Sequence, residues 1–180
     1  MRLIPLLAAA ALSACAAVPT ASTALAPLPG SMVHLKAPGG AEIGTATMQQ
    51  VPHGVLIEID VRGLTSGWHG LHIHEKADCS AADFTSAGAH VHGGPAAREH
   101  GFMTASGGEP GDLPNLWVAS DGTGKAQFFS NRLSLTGGAG RITLWDDDGS
   151  ALVIHAARDD QYTQPIGGSG ARVACGSLTR

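Results

Sequence analysis

Residues 54–64, GVLIEIDVRGL, alternate apolar and polar positions with a period near two, the spacing of a strand with one buried face. SALVIHA, residues 150–156, is a short, nearly continuous apolar run and reads as a buried strand. LWVASDGTGKAQFFS, residues 116–130, reads as two strands joined at Asp121-Gly122, a hairpin signal. No stretch carries a long helical period, and 25 glycines and 10 prolines supply many turns. The pattern predicts an all-β domain. It lapses between Asp78 and Leu113. An unpatterned stretch of that length in a compact domain is usually functional or disordered. The histidines and acids in this one favour function.

The start of the chain changes the picture of the compartment. MRLIPLLAAAALSAC has one charge, Arg2, then an apolar run too short to span a bilayer, then small residues before Cys15. That is the form of a secretory signal. Leu12-Ser13-Ala14-Cys15 resembles a bacterial lipobox, which implies cleavage after residue 14 and lipid on Cys15; an ordinary signal peptide is the alternative. Ala16 carries no acidic retention signal, so the same resemblance implies an outer-membrane anchor in the bacterial cell envelope, facing the periplasm. Residues 16–30, rich in Ala, Pro, Thr and Ser, read as a linker. The expected division is a lipoprotein-type signal at 1–14, a lipidated N-terminus and linker at 15–30, and one domain at 31–180.

Removing residues 1–14 takes away Arg2 and moves the formal charge from −4 to −5, which argues against a nucleic-acid partner. With Cys15 set aside, Cys79 and Cys175 are an even pair in an oxidising compartment, either bridged or two buried thiols.

GWHGLHIHEKADC, residues 67–79, crowds three of the nine histidines into six positions. His72 and His74 lie two apart on a strand and so share a face, which makes half a metal site. His69 falls out of phase with them and reads as a structural histidine. An isolated pair is a weak signal. His90, His100 and Asp112 in the long loop and His155 on the late strand strengthen it, since imidazole suits copper and zinc and a carboxylate can complete a zinc site.

Taken together, GWHGLHIHEKADC, DFTSAGAH (83–90), GDLPNL (111–116), ALVIHAARDD (151–160) and GGSGARVACG (167–176) resemble the secreted bacterial Cu/Zn superoxide dismutases, in the family's order. The resemblance implies a Greek-key β-sandwich or flattened β-barrel with long functional loops. It implies one copper per chain on His72, His74, His90 and His155, and one zinc per chain on His90, His100 and Asp112. Asp159 takes the place of the carboxylate that joins a copper-ligand histidine to a zinc-ligand one. Arg172 takes that of the arginine that attracts and orients superoxide, and Cys79 and Cys175 that of the disulfide. The implied reaction turns superoxide into dioxygen and hydrogen peroxide by Cu(II)/Cu(I) cycling, with His90 as bridging ligand and proton carrier. The implied assembly is a homodimer or a monomer, and contact with membrane runs only through lipid on Cys15. The alternative is an extracytoplasmic copper carrier or buffer of the same fold. Arg172 argues against it, because a carrier needs no anion-guiding cation.

The chain departs from the family at two places. Glu109 stands where a third zinc histidine is usual, and replaces it as a ligand or remains a solvated loop residue. His92, two positions after His90, reads as an exposed loop histidine or a surrogate ligand.

Overall fold

The computed structural model describes residues 29–93 and 99–180. The signal, Cys15 and nearly all of the linker lie outside the described residues, as does part of the connection between His90 and His100.

Strands β1 (Gly30–Lys36), β2 (Glu42–Val51), β3 (Gly54–Val61), β5 (Leu71–His74), β7 (Gly124–Ser130), β10 (Ser150–His155) and β11 (Arg172–Leu178) form one antiparallel sheet. Its order is β5-β10-β11-β1-β2-β3-β7. β4 (Gly67–His69) pairs with β6 (Leu116–Val118), and β8 (Leu133–Ser134) with β9 (Ile142–Thr143). A single 3₁₀ turn, Thr85–Ala87, is the only helix among the described residues. The all-β expectation holds.

The alternation in β3 has the predicted consequence. Val55, Ile57, Ile59 and Val61 enter the main core, joined by Ala46 and Met48 from β2 and Val33 and Leu35 from β1. The stretch 116–130 behaves differently. Its Asp121-Gly122 turn forms, with Asp121 Oδ1 accepting from the Thr123 amide, but no hairpin follows. β6 pairs with β4, whereas β7 pairs with β3 in the large sheet. The turn is local chemistry; the choice of partner strand is made by packing elsewhere.

β5 and β10 are buried on both faces, and this positions the site. Leu71 and Ile73, with Leu152 and Ile154, face the main core. Successive side chains must alternate, so His72, His74 and His155 are turned to the opposite face. There Ala151 and Val153 pack with Phe84, Ala87 and Cys175 in a second, smaller apolar cluster. The long loop supplies Phe84 and Ala87, and the Cys79–Cys175 disulfide ties it to β11.

Candidate metal centre

β5 is the edge of the large sheet, so its outer backbone groups need partners. Two segments of the long loop provide them. Val91 N donates to Ile73 O (2.9 Å) and Ile73 N to Gly111 O (2.8 Å). Glu75 N donates to Ala89 O (3.0 Å) and Leu113 N to Leu71 O (3.2 Å). This edge pairing sets His90 opposite His74 and Asp112 opposite His72. In the sheet itself β10 pairs with β5, and His155 at its end lies in register with Arg172 of β11. Residues from four distant parts of the chain thus meet on one face.

Two groups result whose ligand atoms lie within 4.8 Å of one another: His72, His74, His90 and His155, and His72, His90, His100 and Asp112. All are buried. His90 and His72 belong to both, their rings stacked with centroids 4.0 Å apart.

Each imidazole of the first group has one nitrogen occupied. His72 Nε2 donates to Asp159 Oδ2 (2.8 Å), His74 Nδ1 to Gly88 O (2.9 Å) and His155 Nδ1 to Gly170 O (3.0 Å). His90 Nδ1 faces Glu109 Oε2 (3.0 Å). The other nitrogens, His72 Nδ1, His74 Nε2, His90 Nε2 and His155 Nε2, are buried with no partner. A buried polar atom left unpaired is costly, and four converging ones are the mark of a cation site. Because burial disfavours the charged ring, the pKa of His72 falls to about 4, of His74 to about 2 and of His155 to about 3. At neutral pH these rings are neutral, with lone pairs free for a metal. Four imidazoles suit copper.

The second half of the site is acidic. His90 Nδ1 lies 3.4 Å from Asp112 Oδ1, and His100 Nδ1 lies 2.8 Å from the same oxygen and 3.9 Å from Glu109 Oε2. A tetrahedral zinc site with bonds of about 2.0–2.1 Å has ligand atoms roughly 3.3–3.4 Å apart. The His90 and His100 nitrogens lie 2.8–3.9 Å from the Asp112 and Glu109 oxygens, around that spacing; His90, His100 and Asp112 belong to the second donor group, and Glu109 lies beside it. Burial would lower the His100 pKa, but Asp112, Asp159 and Glu109 overcome it and push it up to about 11. His90 is raised against burial by Asp112 and Glu109. Glu109 would rise on burial but is pulled down to about 2 by His100 and His90, and Asp112 falls further for the same reason. Three carboxylates thus hold positive charge at this point, as protons or as a cation. Metal binding would displace those protons.

Asp159 joins the halves, accepting from His72 Nε2 through Oδ2 and from His100 Nε2 through Oδ1 (3.1 Å). Its own orientation is set by Gln161, whose amide N (2.6 Å) and Nε2 (2.9 Å) both donate to it. Asn115 exchanges two hydrogen bonds with its backbone. Gly167, at φ +60°, lies so close that a Cβ there would sit 1.6 Å from Asp159 Oδ1. Any larger residue would displace the bridge.

Arg172 stands at the edge of the four histidines, half-buried. It donates to Phe84 O (2.6 Å) and Gly88 O (2.7 Å). The Gly88 carbonyl therefore accepts from both Arg172 and His74.

A copper/zinc superoxide dismutase (SODC) family model matches residues 42–178. The chain belongs to the copper/zinc superoxide dismutase family. The copper/zinc superoxide dismutase of Caulobacter vibrioides is 50% identical over 144 residues, covering 80% of this chain and 82% of that one. That of Deinococcus radiodurans is 40% identical, covering 76% and 77%. The crystal structure of a superoxide dismutase-like protein from Bacillus subtilis matches with a TM-score of 0.76 at 38% identity, covering 82% of this chain and 97% of that one. The Cu/Zn superoxide dismutase from Brucella abortus gives 0.67 at 28% identity, covering 83% and 99%. Copper and zinc are this family's metals, and the two donor sets described above can receive them.

Of the residues that the sequence singled out, His72, His74, His90, His100, Asp112 and His155 form the two donor groups, and Glu109, Asp159 and Arg172 are bonded to them or to the carbonyl that holds one of them. His69, expected to be structural, is buried with Nδ1 on His155 O (2.6 Å) and Nε2 on Thr65 O (2.8 Å). Glu109 is buried, not solvated. His92 is a loop histidine with an exposed side chain and no place in a donor group, but its Nδ1 bonds Glu109 Oε1. Sequence reading also missed Gln161, which orients Asp159, and Arg132, which donates to the carbonyls of Gly107, Gly108 and Glu109. Asn115 lay inside the quoted GDLPNL motif without a role attached to it.

Proposed function

We propose that the protein disproportionates superoxide to dioxygen and hydrogen peroxide, with His72, His74, His90 and His155 as copper ligands and His90, His100, Asp112 and Glu109 as zinc ligands. The observation that carries this reading is the set of four buried, unpartnered imidazole nitrogens beside a half-buried guanidinium. Copper bound there would supply the one-electron couple that both halves of the reaction need. The remaining work belongs to the chain. Gly88, Gly170 and Asp159 fix the ring tautomers of His74, His155 and His72, so the ligand nitrogens of these three are deprotonated before any metal arrives. Arg172 carries a permanent charge, and its two carbonyl acceptors hold that charge beside His74, where an anion arriving at the histidines would meet it. His90 has Nε2 directed to one half and Nδ1 to the other, so Nε2 is the atom at which it could take up and deliver a proton.

The Cys79–Cys175 bridge belongs to an extracytoplasmic enzyme. The finer location rests on the lipobox-like LSAC: residues 1–14 as signal, Cys15 as lipid-bearing N-terminus, 15–30 as tether and an outer-membrane anchor. Stable anchoring requires more than one acyl chain, which lipoprotein processing would provide.

The test is the dismutation rate of the protein loaded with copper alone and then with copper and zinc. A fast rate in either state supports the enzyme. A rate no greater than that of loosely bound copper would overturn it in favour of a carrier.

A further inference from the structure

The two oxygens of Glu109 do different things. Oε2 lies 3.0 Å from His90 Nδ1 and 3.9 Å from His100 Nδ1, whereas Oε1 receives Nδ1 of His92. The Glu109 side chain is only 5% exposed, while that of His92 is 41% exposed. The backbone carrying Glu109 is already fixed. Arg132 donates to the carbonyls of Gly107 (2.9 Å), Gly108 (2.7 Å) and Glu109 (3.1 Å), and the Glu109 amide donates to Asp112 Oδ2 (2.8 Å). What remains free is the side chain. An imidazole ligand is a rigid ring on two torsions. A glutamate reaches the same place on three, and either oxygen can turn inward.

We propose that His92 is the positioning residue for Glu109: by holding Oε1 it presents Oε2, and only Oε2, to the zinc site. This rests on the reading of Glu109 as a zinc ligand and extends it. His92 belongs to neither donor group and touches the metal site through Glu109, whose Oε1 engages its Nδ1. The carboxylate is an acceptor, so Nδ1 donates. A hydrogen bond to the outer atom of a metal ligand typically changes metal affinity 10–100-fold when removed.

The test is Zn(II) affinity of the metal-depleted full chain, measured by competition with a chromophoric chelator, with the d–d spectrum of the Co(II)-loaded protein as a second readout of ligand geometry. His92→Leu should weaken zinc binding by about 10–100-fold and shift the Co(II) bands. His92→Asn should restore both, because the asparagine amide nitrogen lies almost where Nδ1 does and can donate to Oε1. Glu109→Ala should weaken zinc at least as much, and adding His92→Leu to it should cost nothing further. Unchanged zinc binding in Glu109→Ala would remove the ligand reading and the proposal with it. Weakened binding in Glu109→Ala but not in His92→Leu would overturn the positioning role alone. Equal losses in His92→Leu and His92→Asn would also overturn it.

Discussion

A terminal histidine ligand needs one nitrogen free and its ring held through the other, and in this protein the holding groups are two backbone carbonyls, at His74 and His155, and a carboxylate at His72. Gly88 O holds His74, and Gly170 O holds His155. The same Gly88 O holds Arg172, so guanidinium and ligand share an anchor. Arg172→Ala removes a charge without removing a candidate ligand. It should leave copper content unchanged and lower the dismutation rate at low ionic strength by about tenfold or more, the usual scale of electrostatic guidance. Metal analysis beside a rate assay checks this, and an unchanged rate would contradict the role of Arg172. The residue types at these positions were legible in the sequence, since HxH on a strand puts two rings on one face. Their tautomers were not, because a carbonyl acceptor carries no residue-type signal.

The long loop is the element on which the site depends. It covers the outer face of β5 and β10, pairs with the β5 edge and carries the two carbonyls that grip Arg172. One covalent bond fastens it, Cys79–Cys175, across 96 residues of sequence. In the chain-entropy model a loop of about a hundred residues corresponds to roughly 4–5 kcal/mol of stabilisation, and loss of such a bridge typically costs about 2–5 kcal/mol. Replacing both cysteines by serine should lower stability by that order in denaturant unfolding. It should also lower the rate more than the copper content, because Phe84 and Gly88 would no longer be pinned beside β11. Equal stability with and without the bridge would argue against this role. The bridge was legible through the family resemblance, which implied it; residue types alone admitted only a bond or two thiols, and the packing of Cys175 against Phe84 and Ala87 shows the apolar contacts it fastens. The failed hairpin at Asp121-Gly122 teaches the same. Turn chemistry is local, and strand pairing is not.

At the scale of the whole molecule, the site is a buried collection of charges whose cost depends on pH. His72, His74 and His155 have folded pKa values of about 4, 2 and 3, below the ordinary 6.5. Between pH 6.5 and 4 the unfolded chain therefore takes up protons that the folded one refuses, and stability falls with pH. Glu109, lowered to about 2 from 4.5, acts in the same direction: its contribution is present above 4.5 and lost as pH falls towards 2. His100, raised to about 11, contributes fully below 6.5 and progressively less as pH rises through 11. The metal-free protein should accordingly show a lower urea midpoint at pH 4 than at pH 6.5. A midpoint that did not move would contradict the burial of these rings in the neutral state.

The sequence by itself determined the all-β class, the common face of His72 and His74 and the chemistry of the donors, because period, residue type and turn signals are local properties. Its motifs also carried His90, His100, Asp112, His155, Asp159 and Arg172 as one set. Only the tertiary structure decided that Glu109 is buried against His90, that His92 holds its far oxygen, that Gln161 orients Asp159 and that β6 leaves β7 for β4. Those facts depend on where loops distant in sequence come to rest against the edge of β5. That placement is set by backbone hydrogen bonding and packing over the whole domain, which no local pattern records.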